Sequence, residues 1–475
     1  MNCTIHQISL FASLFLILGF VPDTYAQQNN IVWQRTIEDY PNNVQIATAF
    51  DGSVGIICNN TGFPRPPELT KLDSNGNLLW RSQINGSGPT PGFYIAQLYL
   101  LTATRDGGFV VLCRETILGS YSRYVLVKFN SAGGKIWLEP LADYNEDYRL
   151  GVTNYRAIIE VSDGGILLAG SITYRSSYGP FVKRYTSLGK YDRDFQVGGS
   201  SNDGNGPSEI GIGTLVEVNN GYVASGSYRP TSSSLSAGTV RFISREGVLV
   251  NTINFPNESR ITDIAFDPTD NSLVATSRNL QGWGVLKFSS SGDIIFRSII
   301  PRKTNQQAAF IKVAPNPCEG YIIADTDSTN NTNFRLTRIG RNGSVLSSQT
   351  FGGQQAEYVQ GLALQTDGNI LMVGTTQSMD GDLIARQSLS PVSSSPVGWI
   401  LSVNYLAIGG RLASVLNGNW NLPTTWNCGR VPTITDEIQV STGHVVNLNQ
   451  PATAKKLLLQ GTIRLNAGSS LRIGN

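Results

Sequence analysis

The sequence is poor in the residues from which most active sites are built. Its 475 residues include two histidines, five cysteines and three methionines, and only 15% are charged. Apart from His6 near the N-terminus, the sole imidazole is His444. That excludes a metal centre built on several histidines and leaves little from which to assemble a Ser-His-Asp or Cys-His site. The cysteines, at positions 3, 58, 113, 318 and 428, are too sparse for a disulfide framework and contain no C-x-x-C. A net charge of +2, with no run of like charges, argues against nucleic acid as a partner. There is no phosphate-binding loop and no dinucleotide fingerprint, because Gly211-Ile212-Gly213 falls in a strand-like run. Long apolar runs are also lacking. The one candidate, Ile8–Val21, is shorter than the ~18 residues of a spanning helix. It is followed by Thr24-Tyr25-Ala26, a small-x-small cleavage pattern, so residues 1–26 are expected to be a secretory signal peptide, with no transmembrane segment after its removal.

What is abundant is glycine, at 50 residues, and it is placed periodically. The segment Tyr94–Leu138 holds four short apolar runs, the first two joined by Asp106-Gly107-Gly108 and the last two by Ser131-Ala132-Gly133-Gly134. Such clusters are tight hairpin turns, so the unit is four antiparallel strands, a to d. The a–b turn recurs at Asp51, Asp106, Asp163, Asn220, Asp270, Glu319 and Asp367. A four-stranded unit repeating about every fifty residues predicts an all-β, seven-bladed β-propeller over residues 27–390. The seventh unit reads Val359–Leu364, Asn369–Thr376 and Leu383–Leu389 as strands a, b and c, with no strand d. Residues 31–37 (IVWQRTI) resemble the d strand that begins Leu78-Leu79-Trp80, and are expected to close the ring.

Trp33, Trp80, Trp137 and Phe296 share one place in strand d. A ring of ligand-stacking aromatics and an anchor between blades are the two readings, and the outer position of strand d favours the anchor. Cys58 and Cys113 share one place in strand b, taken elsewhere by Gly170 and Gly374. They are either a bond between blades or two buried thiols.

The runs Lys71-Leu72-Asp73-Ser74-Asn75-Gly76-Asn77-Leu78-Leu79-Trp80, Lys128–Trp137 and Lys287–Phe296 resemble the repeats of bacterial secreted β-propeller proteins. Those repeats follow D-G-G-hydrophobic-x-x-G with K-hydrophobic-D-x-x-G-x-x-x-W. The resemblance implies the fold and says little of activity.

Residues 391–411, within the Ser- and Pro-containing stretch that begins SLSPVSSSPV at Ser388, read as a linker, in which Gly398–Gly410 is either one more strand or part of the connection. Residues 412–475 change character. Short apolar runs at Leu457–Leu459, Ile463–Leu465 and Leu471–Ile473 between Gly and Asn turns predict the rungs of a small β-solenoid. The run Trp420…Trp426, Gly429-Arg430-Val431-Pro432, Asp436 and Gly443-His444 is similar to the opening of short β-solenoid modules in secreted and surface proteins of Gram-negative bacteria. His444 is expected at a strand start, in a structural role.

No catalytic site is identified. The turn aspartates are too evenly repeated to be one. Asp325 and Asp327, with Asn330 and Asn331, and the run Asn202-Asp203-Gly204-Asn205 are the candidate hard-oxygen ligands for calcium; no other cofactor is expected. Glu209, Glu357 and Asp380 are the carboxylates a glycosidase or lyase could use at the channel mouth. The long b–c and d–a connections fall on one face of the disc and carry Tyr144, Tyr148, Arg149, Tyr174, Arg175, Tyr178, Tyr228 and Arg229. Exposed Tyr and Arg are recognition residues. The sequence thus points to an exported or cell-surface, non-catalytic binding protein for an extracellular glycan or protein. The alternatives are a carbohydrate-active enzyme and a structural scaffold.

Overall fold

A computed structural model of the chain describes residues 5–8, 30–37, 41–60, 67–86, 93–117, 122–141, 152–174, 177–198, 208–229, 236–279, 282–301, 312–316, 320–327, 332–366, 368–383, 396–404, 412–426, 431–434 and 436–474. Six consecutive four-stranded antiparallel sheets and a seventh built from both ends of the repeat form the propeller. In blade 1, strands a to d are Pro41–Thr48, Val54–Asn60, Glu68–Leu72 and Leu78–Gln83. In blade 2 they are Phe93–Ala103, Phe109–Ile117, Ser122–Phe129 and Lys135–Pro140. Blade 3 is Val152–Glu160, Ile166–Tyr174, Ser177–Tyr185 and Tyr191–Asp194. Blade 4 is Ser208–Val218, Gly221–Arg229, Ala237–Ser244 and Leu249–Phe255. Blade 5 is Arg260–Asp267, Ser272–Asn279, Gly282–Phe288 and Ile294–Pro301. Blade 6 is Lys312–Asn316, Gly320–Asp327, Asn333–Gly340 and Val345–Phe351. Strand a of each blade neighbours strand a of the next, and blade 7 returns to blade 1, so the ring is closed.

Blade 7 takes strands a and b from Glu357–Leu364 and Ile370–Thr376. Its strand c is Val397–Val403, not Leu383–Leu389. The expected linker at 391–411 therefore contains a propeller strand, and the propeller extends past residue 390. Ser/Pro composition marks an irregular connection, but it does not say whether the connection lies between domains or within a blade. Ile31–Ile37 pairs antiparallel with Val397–Val403 and supplies strand d, as the sequence predicts. Ile5–Ile8 lies along its outer edge, with Ile5 opposite Ile37. Loss of residues 1–26 would leave blade 7 with four strands like its neighbours.

The b strands read as continuous apolar runs because both of their faces are covered. In blade 2, Phe109, Val111 and Cys113 pack with blade 1, whereas Val110 and Leu112 pack with blade 3. Cys58 and Cys113 are buried free thiols, and burial pushes the Cys113 thiol up.

The repeat motif has a mechanical meaning. The turn carboxylate folds back on its own turn, as Asp106 Oδ1 accepts Gly108 N–H at 3.0 Å and Asp163 Oδ1 accepts Gly165 N–H at 2.9 Å. A cation on strand c then holds it, in the pairs Lys71–Asp51 (3.3 Å), Lys128–Asp106 (2.7 Å), Arg184–Asp163 (2.6 Å) and Lys287–Asp270 (2.5 Å). Lys71 Nζ also donates to Gly107 O at 3.1 Å and Ser131 O at 3.3 Å, so it fastens blade 1 to both tight turns of blade 2. The d-strand aromatics do the same from the rim. Trp33, Trp80 and Trp137 donate their indole N–H to Ser74, Ser131 and Ser187 O, each in the c–d turn of the next blade, at 2.9, 2.8 and 3.2 Å. Gly133 has φ +85°, and a Cβ there would meet the Trp80 ring at 2.8 Å, so the turn glycine is also the seat of the ring. These aromatics are anchors between blades.

Strand a carries a second repeated device. In blades 2, 3, 4, 5 and 7 one extra residue is bulged at the same level: Tyr99, Arg156, Gly213, Thr262 and Gln360. The strand b residue opposite the position before each bulge is small: Cys113, Gly170, Gly226, Ser277 and Gly374. A Cβ on Gly374 would sit 1.9 Å from Tyr358 O, and one on Gly170 1.9 Å from Asn154 O. In blades 3, 4 and 7 the bulge brings a strand a carbonyl over strand b so closely that only glycine fits, whereas blades 2 and 5 accommodate the small side chains of Cys113 and Ser277. Gly374→Ala is accordingly expected to lower stability by about 1–3 kcal/mol, the range for overpacking. Urea denaturation measures it, and an unchanged midpoint would mean that the bulge is not held in solution.

Beyond the propeller, residues 412–473 form three parallel ladders. Leu412–Ala413, Glu437–Val440 and Lys456–Leu459 make one. Gly418–Asn419, Val445–Leu448 and Thr462–Leu465 make another, and Ala452–Ala454 pairs with Leu471–Ile473. Leu412, Trp420, Trp426, Ile438, Val440, Val446, Leu448 and Ala454 are their core. Trp426 Nε1–H donates to Trp420 O at 2.8 Å, and buried Asp436 accepts Thr433 N–H at 2.7 Å. His444 precedes Val445–Leu448, and its Nδ1 lies 3.0 Å from Ser414 Oγ and Ser414 O, a tie between successive turns of chain.

Candidate functional site

Strands alternate in direction within a blade, so the tight a–b and c–d turns share one face of the disc and the b–c and d–a connections share the other. The Tyr/Arg set predicted on that second face is only partly described. Tyr144, Tyr148, Arg149 and Arg175 lie outside the described residues. Tyr174 and Tyr178 are not in a loop. Strand b of blade 3 runs through Tyr174, strand c begins at Ser177, and Tyr174 pairs with Ser177 and Tyr178 with Thr173. The expected long connection at 174–180 is therefore a hairpin ribbon, extended because Ser, Tyr and Thr continue the pairing as readily as they make a loop. Tyr228 and Arg229 end strand b of blade 4, with Tyr228 half-buried and opposite Glu209. The side chains of Tyr174, Tyr178, Arg229 and Glu209 lie outside the described residues.

Strand d of blade 3 stops at Asp194 and pairs only with residues 183–185 of strand c. The chain then crosses to blade 4, where Gln196 N–H donates to Gly247 O at 2.8 Å. The outer edge of Pro180–Val182 is left beside a groove of ≈ 580 Å³ walled by Ile172, Phe181, Phe195 and Leu249.

The calcium candidates are occupied by a cation of the protein's own. Arg335 Nε and Nη2 meet the two oxygens of buried Asp325 at 2.8 and 2.5 Å, and Arg335 Nη1 lies 3.4 Å from Asp327 Oδ1. Asp325 and Asp327 therefore form a bidentate clasp with strand c of blade 6 rather than a cation cage. Their spacing in sequence did not reveal that Arg335 pairs across from Asp325. Asn330, Asn331 and Asn202–Asn205 lie outside the described residues.

Two of the three candidate catalytic carboxylates hold a loop. Glu357 is buried, accepts Thr376 Oγ1–H at 2.9 Å and Gly353 N–H at 3.3 Å, and burial raises its pKa against the lowering effect of these bonds. Asp380 accepts Gln354 N–H at 2.9 Å.

The channel shows what the sequence reading missed. Because strand a starts at the long-connection face, its early residues surround the channel mouth on that side. A cavity of ≈ 280 Å³ lies deeper in the channel, against the middle and later part of strand a, lined among others by Gln45, Arg156, Gly213, Thr214, Asp263 and Gln360. Arg156 is the bulged residue of blade 3 and Arg260 the first residue of strand a in blade 5, and both are exposed. A Cβ on Gly213, in blade 4 between them, would lie 3.2 Å from Arg260 Nη2. Solvent reaches Arg260, but protein surrounds it closely enough that partial desolvation, and then the charge of Arg156, lower its pKa. Beside Arg156 runs a ladder of edge-to-face aromatics, Tyr99–Tyr124–Tyr155–Phe181, with ring centroids 5.3, 4.8 and 5.3 Å apart. The only sequence signal for this ring was the small residue of strand b, which marks the bulge without naming the side chain it turns inward.

Fold and channel define a seven-bladed β-propeller protein. No family model and no curated protein matches the sequence. Among solved structures it is similar to Kuenenia stuttgartiensis hydrazine synthase, at 12% identity and TM-score 0.47, covering 74% of this chain and 96% of that one. It is also similar to the Dos1 propeller, at 9% identity and TM-score 0.43, covering 77% and 93%. A Dyadobacter fermentans DSM 18053 protein of unknown function matches at 12% identity and TM-score 0.40, covering 66% and 100%.

Proposed function

We propose that the protein is a non-catalytic recognition protein, exported by residues 1–26 to the outer surface or surroundings of a Gram-negative cell. It binds an extracellular glycan or protein on the long-connection face of the propeller. The parallel ladders of residues 412–473 serve as a short β-solenoid for attachment. The observation that carries this reading is the asymmetry of the disc. One face consists of short turns stitched by Lys/Arg–Asp pairs, whereas the longer connections and the blade 3 ribbon belong to the other. Sites on propellers are grafted onto such connections. The carbohydrate-active alternative loses support because Glu357 and Asp380 each fasten the segment around Gly353 and Gln354.

A glycan array probed with residues 27–475 tests the reading. A specific hit that is insensitive to calcium chelation and lost in Tyr174→Ala or Tyr228→Ala is expected. A blank array removes the glycan ligand and leaves a protein partner or a scaffold.

A further inference from the structure

Arg156 lines the channel cavity, and Arg260 adjoins Gly213, which lines it too. Neither guanidinium has a hydrogen-bond or ion-pair partner among the described residues. The acid that lines the cavity, Asp263, is itself buried and accepts Thr214 Oγ1–H at 3.3 Å. Besides partial desolvation, the like charge of Arg156 disfavours protonated Arg260, and among the described residues no carboxylate forms an ion pair with either. Arg156 is not an incidental surface residue. Tyr155 pairs with Gly170 and Ala157 with Ala169, so the ladder on either side fixes the bulge that delivers it to the channel. Blade 4, between the two arginines, puts a bulged glycine at the same level, and the space left by its missing side chain adjoins the Arg260 guanidinium.

We infer that Arg156 and Arg260 form an oxyanion-binding site that takes a carboxylate or phosphate group borne by a molecule of about monosaccharide size. Two planar forks suit the paired oxygens of such groups. The ≈ 280 Å³ cavity sits at the small end of ligand pockets, which start near 300 Å³. Leu100, Ile158 and Leu215 give the cavity an apolar wall beside the charged end. Partial desolvation of Arg260 by the surrounding protein and the charge of Arg156 both disfavour its protonated form, and a bound anion relieves both. This site does not depend on the glycan reading of the outer face.

Calorimetric titration of the full chain with glucuronate, glucose, glucose 6-phosphate and inorganic phosphate tests it. Saturable binding of glucuronate or of the phosphates, absent for glucose and weakened by added salt, is expected. Stronger binding of glucuronate assigns a carboxylate ligand, and stronger binding of the phosphates a phosphoryl one. Arg156→Gln and Arg260→Gln should each weaken binding at least about tenfold while keeping the wild-type melting temperature. Gly213→Ser, which narrows the space between them without altering charge, should also weaken it. Equal binding of glucose and glucuronate, no saturable binding of any anion, or unchanged affinity in both arginine variants would overturn the proposal.

Discussion

A chain that begins after Ile37 is expected to lose cooperative folding and to aggregate, whereas one that begins at Gln27 should fold as the full chain does. Among the described residues Ile31–Ile37 is the strand of the ring taken from outside its blade's own run of sequence, and it is the most buried strand d, with Ile5–Ile8 covering its outer edge. Trp33 through Ile37 are all buried, whereas the d strand of blade 1 is half-buried or exposed throughout. Trp33 and Ile37 belong to the core shared with blade 1, alongside Val44, Ile56 and Ile400. Gln34 accepts Trp399 Nε1–H at 3.1 Å and donates to Asp382 O at 2.7 Å. Removing the strand would open the edge of Val397–Val403, a run of seven buried residues, to other chains. Size-exclusion chromatography and thermal unfolding of the two truncations measure the effect, and a peptide of residues 30–38 added in trans should restore the monomer. A monomeric, cooperatively unfolding chain without residues 31–37 would show that blade 7 closes by another route.

Trp399→Ala is expected to lower stability by about 3–5 kcal/mol, the range for emptying a buried tryptophan site. Trp399 is fully buried, stacks on Phe334 of blade 6 with centroids 4.8 Å apart, and bonds the closing strand through Gln34. One substitution therefore leaves a cavity between two blades and an unpaired Gln34 oxygen. Urea unfolding with an unchanged m-value checks it. A loss under about 1 kcal/mol, small for a large-to-small change in a core, would return strand c to Leu383–Leu389.

The position of strand c in blade 7 shows where sequence reading stops. Leu383 is buried and apolar, as a strand residue would be, yet it packs at the end of the 352–383 segment against the blade 7 core. Val397–Val403 looks like part of a Ser/Pro linker until Ile370–Thr376 is seen to pair with it. The candidate site divides in the same way. Loop positions with Tyr and Arg could be named from connection lengths, but the channel arginines could not. A bulge is a relation between two strands: Arg156 lines the channel where the chain bulges, and Gly170, opposite Tyr155, admits the displaced carbonyl.

The repeat, its seven turns, the closing strand and the interblade role of the aromatics were determined by the sequence itself. Turn formation depends on two or three adjacent residues, and period-two burial on the residues of a single strand. Which carboxylates are free, which are clasped, as Asp325 is by Arg335, and which side chains line the channel were decided by tertiary structure alone. Those properties belong to residues brought together from different strands and blades. Charge pairing and side-chain direction across such distances follow from register and bulges, which no local run of sequence encodes.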